Sequence, residues 1–158
     1  MTELYTRKEL GEFNSVVCFK ALVTGVSETL GDKAAAIALT AAGRQRGKDL
    51  VASLGLKGQG NVDSLDTLTK ALDDAVGKNG TRLCAIDKIV ADGDALKVYT
   101  SETVCSANEP IGSKMECTFT LGAIWGAIEA ALGKRYRGKQ IESVLRGGSH
   151  DVFELTLF

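Results

Sequence analysis

Residues 117–133 read CTFTLGAIWGAIEAALG, and the fold turns on how that stretch is taken. Between Thr120 and Gly133 the only charge is Glu129. On a helix, Gly122, Gly126 and Ala130 align as a stripe without bulk, and beside it runs a heavier stripe of Leu121, Trp125, Ile128 and Leu132. Glycine inside a helix costs roughly 0.5–1 kcal/mol relative to alanine, so two of them imply a compensating steric need. Either a strand or second helix presses against the stripe, or a ligand does. The two are compatible, because one stripe can pack while its neighbour lines a void.

Working outward, the period changes from helical to alternating on both sides. Downstream, Lys139–Arg146 alternates through Ile141, Ser143 and Leu145, Gly147-Gly148 makes a turn, and Val152–Phe158 alternates again. Upstream, a loop from Cys105 to Glu116 follows two β-prone runs, Arg82–Val90 and Ala95–Thr103, joined through Asp92-Gly93, a strong hairpin signal. The first half reads as three helices. One spans about Leu10 to Leu30. A second, capped by Asp32, runs to about Leu54 and carries the alanine-rich stretch Ala34–Ala42. A third follows Asn61-Val62-Asp63-Ser64, with Leu65, Leu68, Leu72 and Val76 at helical spacing. The predicted class is α+β, order ααα-ββ-α-ββ, with helices on an antiparallel sheet. It divides as a single domain over 1–158, a helical half at 1–78 and the sheet plus fourth helix at 80–158.

Composition bounds the function. At 158 residues, 44% hydrophobic and 25% charged, the chain suits one core, and a net charge of −1 gives no field to attract nucleic acid. The basic runs at Arg44–Lys48 and Lys134–Lys139 read as helix ends and loops. No apolar run approaches the roughly 20 residues that span a bilayer, and the opening MTELYTRKEL lacks a basic-then-apolar leader, so the expectation is a cytoplasmic protein. In that compartment Cys18, Cys84, Cys105 and Cys117 are expected as thiols or ligands rather than disulfides. No dinucleotide or Walker motif is present. Ser149-His150-Asp151 is no triad, since chain neighbours do not converge on one substrate.

From Cys117 to Phe153 the chain resembles the C-terminal core of the 4-vinyl reductase family of small-molecule-binding domains. Cys117-Thr118-Phe119, Gly122 and Gly126, Leu132-Gly133-Lys134, Glu142, Gly147-Gly148 and Phe153 carry the likeness, and AAGRQRGKDLVASLGL resembles the family's Gly-Arg helix. The resemblance implies a fold shared with aromatic-sensing domains, a transport-particle subunit and haem nitric-oxide-binding domains. It also implies an apolar ligand held between helices and sheet, and pairing as a homodimer. Many members carry a zinc site of cysteines and a glutamate. Cys117 and Glu142 match two of its places, but Leu145 stands at the third and His150 or Asp151 near the fourth. The residual metal candidates are Cys117, Glu142 and His150, with help from Cys105, set against a metal-free turn with Cys117 in the core.

The leading expectation is a non-enzymatic sensor or carrier for a hydrocarbon or aromatic molecule, an acyl chain or a tetrapyrrole. Its ligand contacts would be Phe119, Leu121, Gly122, Trp125, Gly126, Ile128 and Tyr99, where a tyrosine hydroxyl orients the guest. The alternatives are an enzyme or accessory of tetrapyrrole vinyl reduction and a dimeric scaffold. For the first, no hydride or electron source is evident in the sequence. For the second, the cue is the Ala34–Ala42 surface, and a separate protein partner would relay any signal.

Overall fold

In a computed structural model of the chain, residues 7–158 are described. The opening hexapeptide, on which part of the leader reading rests, lies outside them. The order matches the expectation: α1 (Val16–Leu30), α2 (Asp32–Ser53), α3 (Leu65–Val76), β1 (Ala85–Asp92), β2 (Ala95–Ser101), α4 (Thr118–Leu132), β3 (Tyr136–Glu142) and β4 (Asp151–Leu157). The sheet is antiparallel in the order β1-β2-β4-β3. β4 pairs with strands on both sides, so α4 carries the chain across it to the far edge.

Sheet and helices share one core. Leu96, Val98, Phe153 and Leu155 point from the sheet into Ile124, Ala127, Ile128 and Ala131 of α4 and Leu68, Leu72 and Val76 of α3. α3 is tied to β1 by Asp73, whose Oδ1 accepts the Ile86 N–H at 2.8 Å. The Asp92-Gly93 hairpin forms with Gly93 at φ +60°, where a side chain is disfavoured.

The glycine stripe is answered by a second one. A Cβ on Gly122 would stand 2.2 Å from the Thr40 carbonyl oxygen, and one on Gly126 would stand 2.1 Å from that of Arg44. In return, a Cβ on Gly43 would meet the Phe119 oxygen at 2.2 Å and one on Gly47 the Ala123 oxygen at 2.0 Å. Two G-x-x-x-G pairs thus let the backbones of α2 and α4 touch, closer than side chains normally hold helices. The compensating need inferred from α4 is this contact.

The largest differences from the sequence reading lie at α1 and β3. α1 begins at Val16 rather than Leu10, because Ser15 caps it by accepting the Val17 N–H. β3 runs Tyr136–Glu142 instead of 139–146. Its register shifts between Gln140 and Glu142, and Val144–Arg146 forms a 3-10 turn whose Leu145 N–H is held by the Ser143 hydroxyl. Tyr136, Gly138 and Gln140 therefore point inward, and Ile141 is exposed.

Among the described residues, no helix is long and apolar enough to cross a membrane.

Candidate functional site

The α4 residues first named as ligand contacts are engaged in packing. Trp125 lies over Gly138 of β3, where a Cβ would sit 2.8 Å from the ring, and its Nε1 donates to the Tyr136 carbonyl at 3.0 Å. The Arg44 guanidinium stacks over the ring, 4.1 Å from its centroid. Arg44 also pairs with Glu129 at 2.7 Å, and the Tyr136 N–H donates to the same carboxylate at 2.9 Å. Burial alone would raise the Glu129 pKa, but these hydrogen bonds and the Arg44 charge outweigh it and hold the carboxyl below its usual range. Ile128 is wholly buried, and Phe119 meets Phe19 edge-on at 5.3 Å. Leu121 packs half-buried against the core.

Tyr99 is on the other side of the sheet. Leu96, Val98 and Thr100 alternate inward, so Tyr99 and Lys97 point outward. There Tyr99 meets the His150 ring edge-on at 5.6 Å, with the Lys88 ammonium 4.3 Å from its centroid. The sheet separates it from the α4 stripe, so the structure does not bring the seven candidates to one place. Period-2 alternation allowed either face, and the inward phase belongs to Leu96 and Val98.

An open groove of about 560 Å³ lies elsewhere, between α1, the first turns of α2 and the segment 113–118. Gly31, at φ +80°, turns the chain between the two helices so that both contribute a wall. Val23, Ala36, Leu39 and Met115 are its buried or half-buried apolar lining. Glu28, Asp32, Lys33, Lys114 and Glu116 are exposed and mark its rim, while Thr24, Ser27, Ser113 and Thr118 add hydroxyls. Four apolar side chains thus form the floor of an open groove whose other nine lining residues are polar or charged. Sequence reading missed it because no motif joins two helix ends to a loop 80 residues downstream.

The loop that closes the groove is fastened at three points. Gly112 N–H donates to the Leu145 carbonyl at 2.7 Å, and Arg146 Nη1 donates to the Ser113 and Met115 carbonyls, each at 3.1 Å. Lys20 of α1 reaches across to donate to the Cys105 carbonyl at 2.6 Å and to Glu109 at 2.7 Å, and the Ser113 hydroxyl donates to the other Glu109 oxygen. The Lys20 bond, with Ser113 and the Lys20 charge, keeps the Glu109 carboxyl below its ordinary range. The third fastening is covalent. Cys105 and Cys117 form a disulfide across twelve positions, where the sequence pointed to thiols. Spacing gave no signal for it; the return of the loop to the start of α4 brings their Cα atoms within 5.1 Å. Cys18 and Cys84 are free, the first exposed and the second buried.

Beneath the disulfide lies Asp151, almost fully buried. Thr103 and Ser106 hydroxyls donate to its Oδ2 at 2.5 and 2.8 Å, and Val144 N–H and the Gln140 amide donate to Oδ1 at 3.1 and 3.4 Å. Cys105, Cys117 and Asp151 are the one tight cluster of ligating atoms among the described residues. It does not fit a metal in this state, since the sulfurs are bonded to each other and the carboxylate is already saturated. The expected trio does not assemble. Glu142 lines a separate polar groove of about 420 Å³ with Arg146 and Gly148. His150 bonds Ser149 at 2.8 Å and stands 3.5 Å from Asp87.

The fold places the chain among known structures. It superposes on the phenol-responsive sensory domain of the transcription activator PoxR with a TM-score of 0.67 at 14% identity, covering 92% of this chain and 76% of that one. A trafficking protein particle complex subunit 3 from Naegleria fowleri, covalently bound to palmitic acid, aligns at 0.63 and 15% identity, covering 90% and 92%. A vinyl-4-reductase family protein from Methanocaldococcus jannaschii aligns at 0.49 and 16%, covering 94% and 85%. The first two have the fold that the sequence resemblance implied. No family model and no curated protein matches the sequence.

Proposed function

We propose that the chain is a binding domain for a small, largely apolar molecule, seated in the groove between α1, the start of α2 and segment 113–118. The observation that carries this is the groove itself, with Val23, Ala36, Leu39 and Met115 inside a ring of charged and hydroxyl side chains. The two neighbours of the same fold support it, one described with phenol and the other with palmitic acid. An aromatic or acyl guest matches the lining better than a tetrapyrrole, for which His150, the only histidine and the natural axial ligand, is not among the lining residues. The ligand contacts move accordingly from the Trp125 stripe to Val23, Ala36, Leu39 and Met115. Native mass spectrometry of protein from its own host tests the reading. An added mass lost on denaturation is expected, and bare protein in every preparation contradicts it.

A second reading concerns assembly. α1 exposes Val17 (62%) and Leu22 (62%), and α2 exposes Ile37 (67%) in a stripe with Ala34, Ala38 and Ala41. Solvent-facing apolar rows of this size mark contact surfaces, and a homodimer through these helices is the arrangement we propose. Light scattering decides it: twice the chain mass is expected, and a strict monomer at high concentration contradicts it.

A further inference from the structure

We propose that the Cys105–Cys117 disulfide is a thiol-responsive latch on the groove, an inference that rests on the binding reading above. The bond closes the ring of residues that contains the groove's outer wall, Ser113 to Glu116. The same ring holds α1, because Lys20 takes its two contacts from Cys105 and Glu109, both inside it. Beyond these, α1 is held by its packing on α2, the edge contact of Phe19 with Phe119, and Val23, its one buried side chain. One covalent bond thus closes the outer wall and steadies α1 through Lys20. Opening it leaves segment 106–116 held by Arg146, Gly112 and the side chains around Glu109, and at its first residue by the Ser106 bond to the buried Asp151.

The exchange is balanced by a dithiol reductant. Cys105 is 8% exposed and Cys117 2%, so a reductant thiolate meets the Cys105 sulfur first. A bond forms between them, the Cys105–Cys117 bond breaks, and Cys117 leaves as a thiolate that takes a proton from solvent. The reductant's second thiolate then attacks its own sulfur in the mixed disulfide. Cys105 departs and is protonated, and the reductant ends as a cyclic disulfide, having supplied both electrons. The freed loop no longer presents Met115 and Lys114 to the groove, and Lys20 loses its fixed partners.

The test compares the full chain oxidised, treated with dithiothreitol under native conditions, and as the C105S/C117S variant. Amide hydrogen exchange is followed over 106–116, and affinity is measured for the neutral fluorophore N-phenyl-1-naphthylamine. Reduction should speed exchange in that segment at least about tenfold. It should weaken fluorophore binding about fivefold or more, with recovery on reoxidation by oxidised glutathione. The double variant should behave as the reduced protein and ignore the reductant. Identical exchange and affinity in both redox states overturns the latch, as does a bond that dithiothreitol leaves intact or a double variant that still responds to reductant. Absence of fluorophore binding by the oxidised protein contradicts the binding reading, while the exchange measurement still decides the latch. If the double variant does not fold, the wild-type comparison decides it alone.

Discussion

The Cα of Gly47 faces the backbone of Ala123 so closely that a methyl group there would lie 2.0 Å from its carbonyl oxygen. That contact, repeated at Gly43, Gly122 and Gly126, makes α2 and α4 a single unit. A matched pair of substitutions measures it. Gly47→Ala gains about 1 kcal/mol of helix propensity yet should lose about 1–3 kcal/mol net, since two backbones must part. Gly25→Ala in α1, with nothing within 4 Å of its added Cβ, should stabilise by up to about 1 kcal/mol. Urea unfolding checks both, and equal effects would contradict the contact.

The buried carboxylate of Glu129 makes a pH prediction. Its folded-state pKa is depressed, because hydrogen bonds from Tyr136 and Arg44 outweigh the opposing effect of burial. The stability it adds is therefore complete above the unfolded carboxyl value, about 4.3, and is lost as pH falls through the lower folded value. Glu129→Gln should cost about 1–3 kcal/mol at neutral pH by leaving Arg44 without its anion, and the deficit should shrink in acid. Thermal melts at pH 7 and below pH 4 measure it.

The cysteines should separate into three behaviours. Cys18 is exposed and should alkylate quickly, whereas Cys84 is buried, its thiol pushed up to about 12 chiefly by burial and then by Asp73, Asp87 and Asp151. Cys105 and Cys117 should resist until reduced. Intact mass after iodoacetamide should show one adduct on native protein, two after unfolding, and four after unfolding with reductant. Four adducts without reductant would exclude the disulfide. Losing the bond should cost about 3 kcal/mol, the entropy of opening a ring of this size.

The outward row on α2 is tested by charge. Ile37→Glu places a carboxylate in the proposed dimer surface, where Ile37 is 67% exposed. It should convert a dimer to monomer in light scattering without lowering the melting point of the monomer. An unchanged dimer would place the contact elsewhere.

Periodicity carried the architecture because it reports one-dimensional patterns. The Asp92-Gly93 turn, the α3 leucines and the glycine spacing of α4 each declare local geometry in their own residues. The partner of the α4 stripe was less legible, since Gly43 and Gly47 sit in a polar run that reads as solvated. β3 slipped by several residues because a side-chain bond from Ser143 and a register shift ended it early. Tyr99 could be named as a ligand contact because alternation tells which residues share a face but not which face is buried. The groove depends on distances between segments far apart in the chain, and the disulfide on the loop after Cys105 returning to the start of α4; nothing in the spacing encodes either.

The central claim is that the groove between α1, α2 and segment 113–118 holds an apolar guest. The most direct measurement titrates N-phenyl-1-naphthylamine into the native protein and into Ala36→Trp, which fills the groove from α2 at a half-buried position. Saturable binding by the native protein, reduced at least about tenfold in Ala36→Trp with the fold intact by circular dichroism, is the predicted result. Equal binding by both proteins, or none by either, would contradict it.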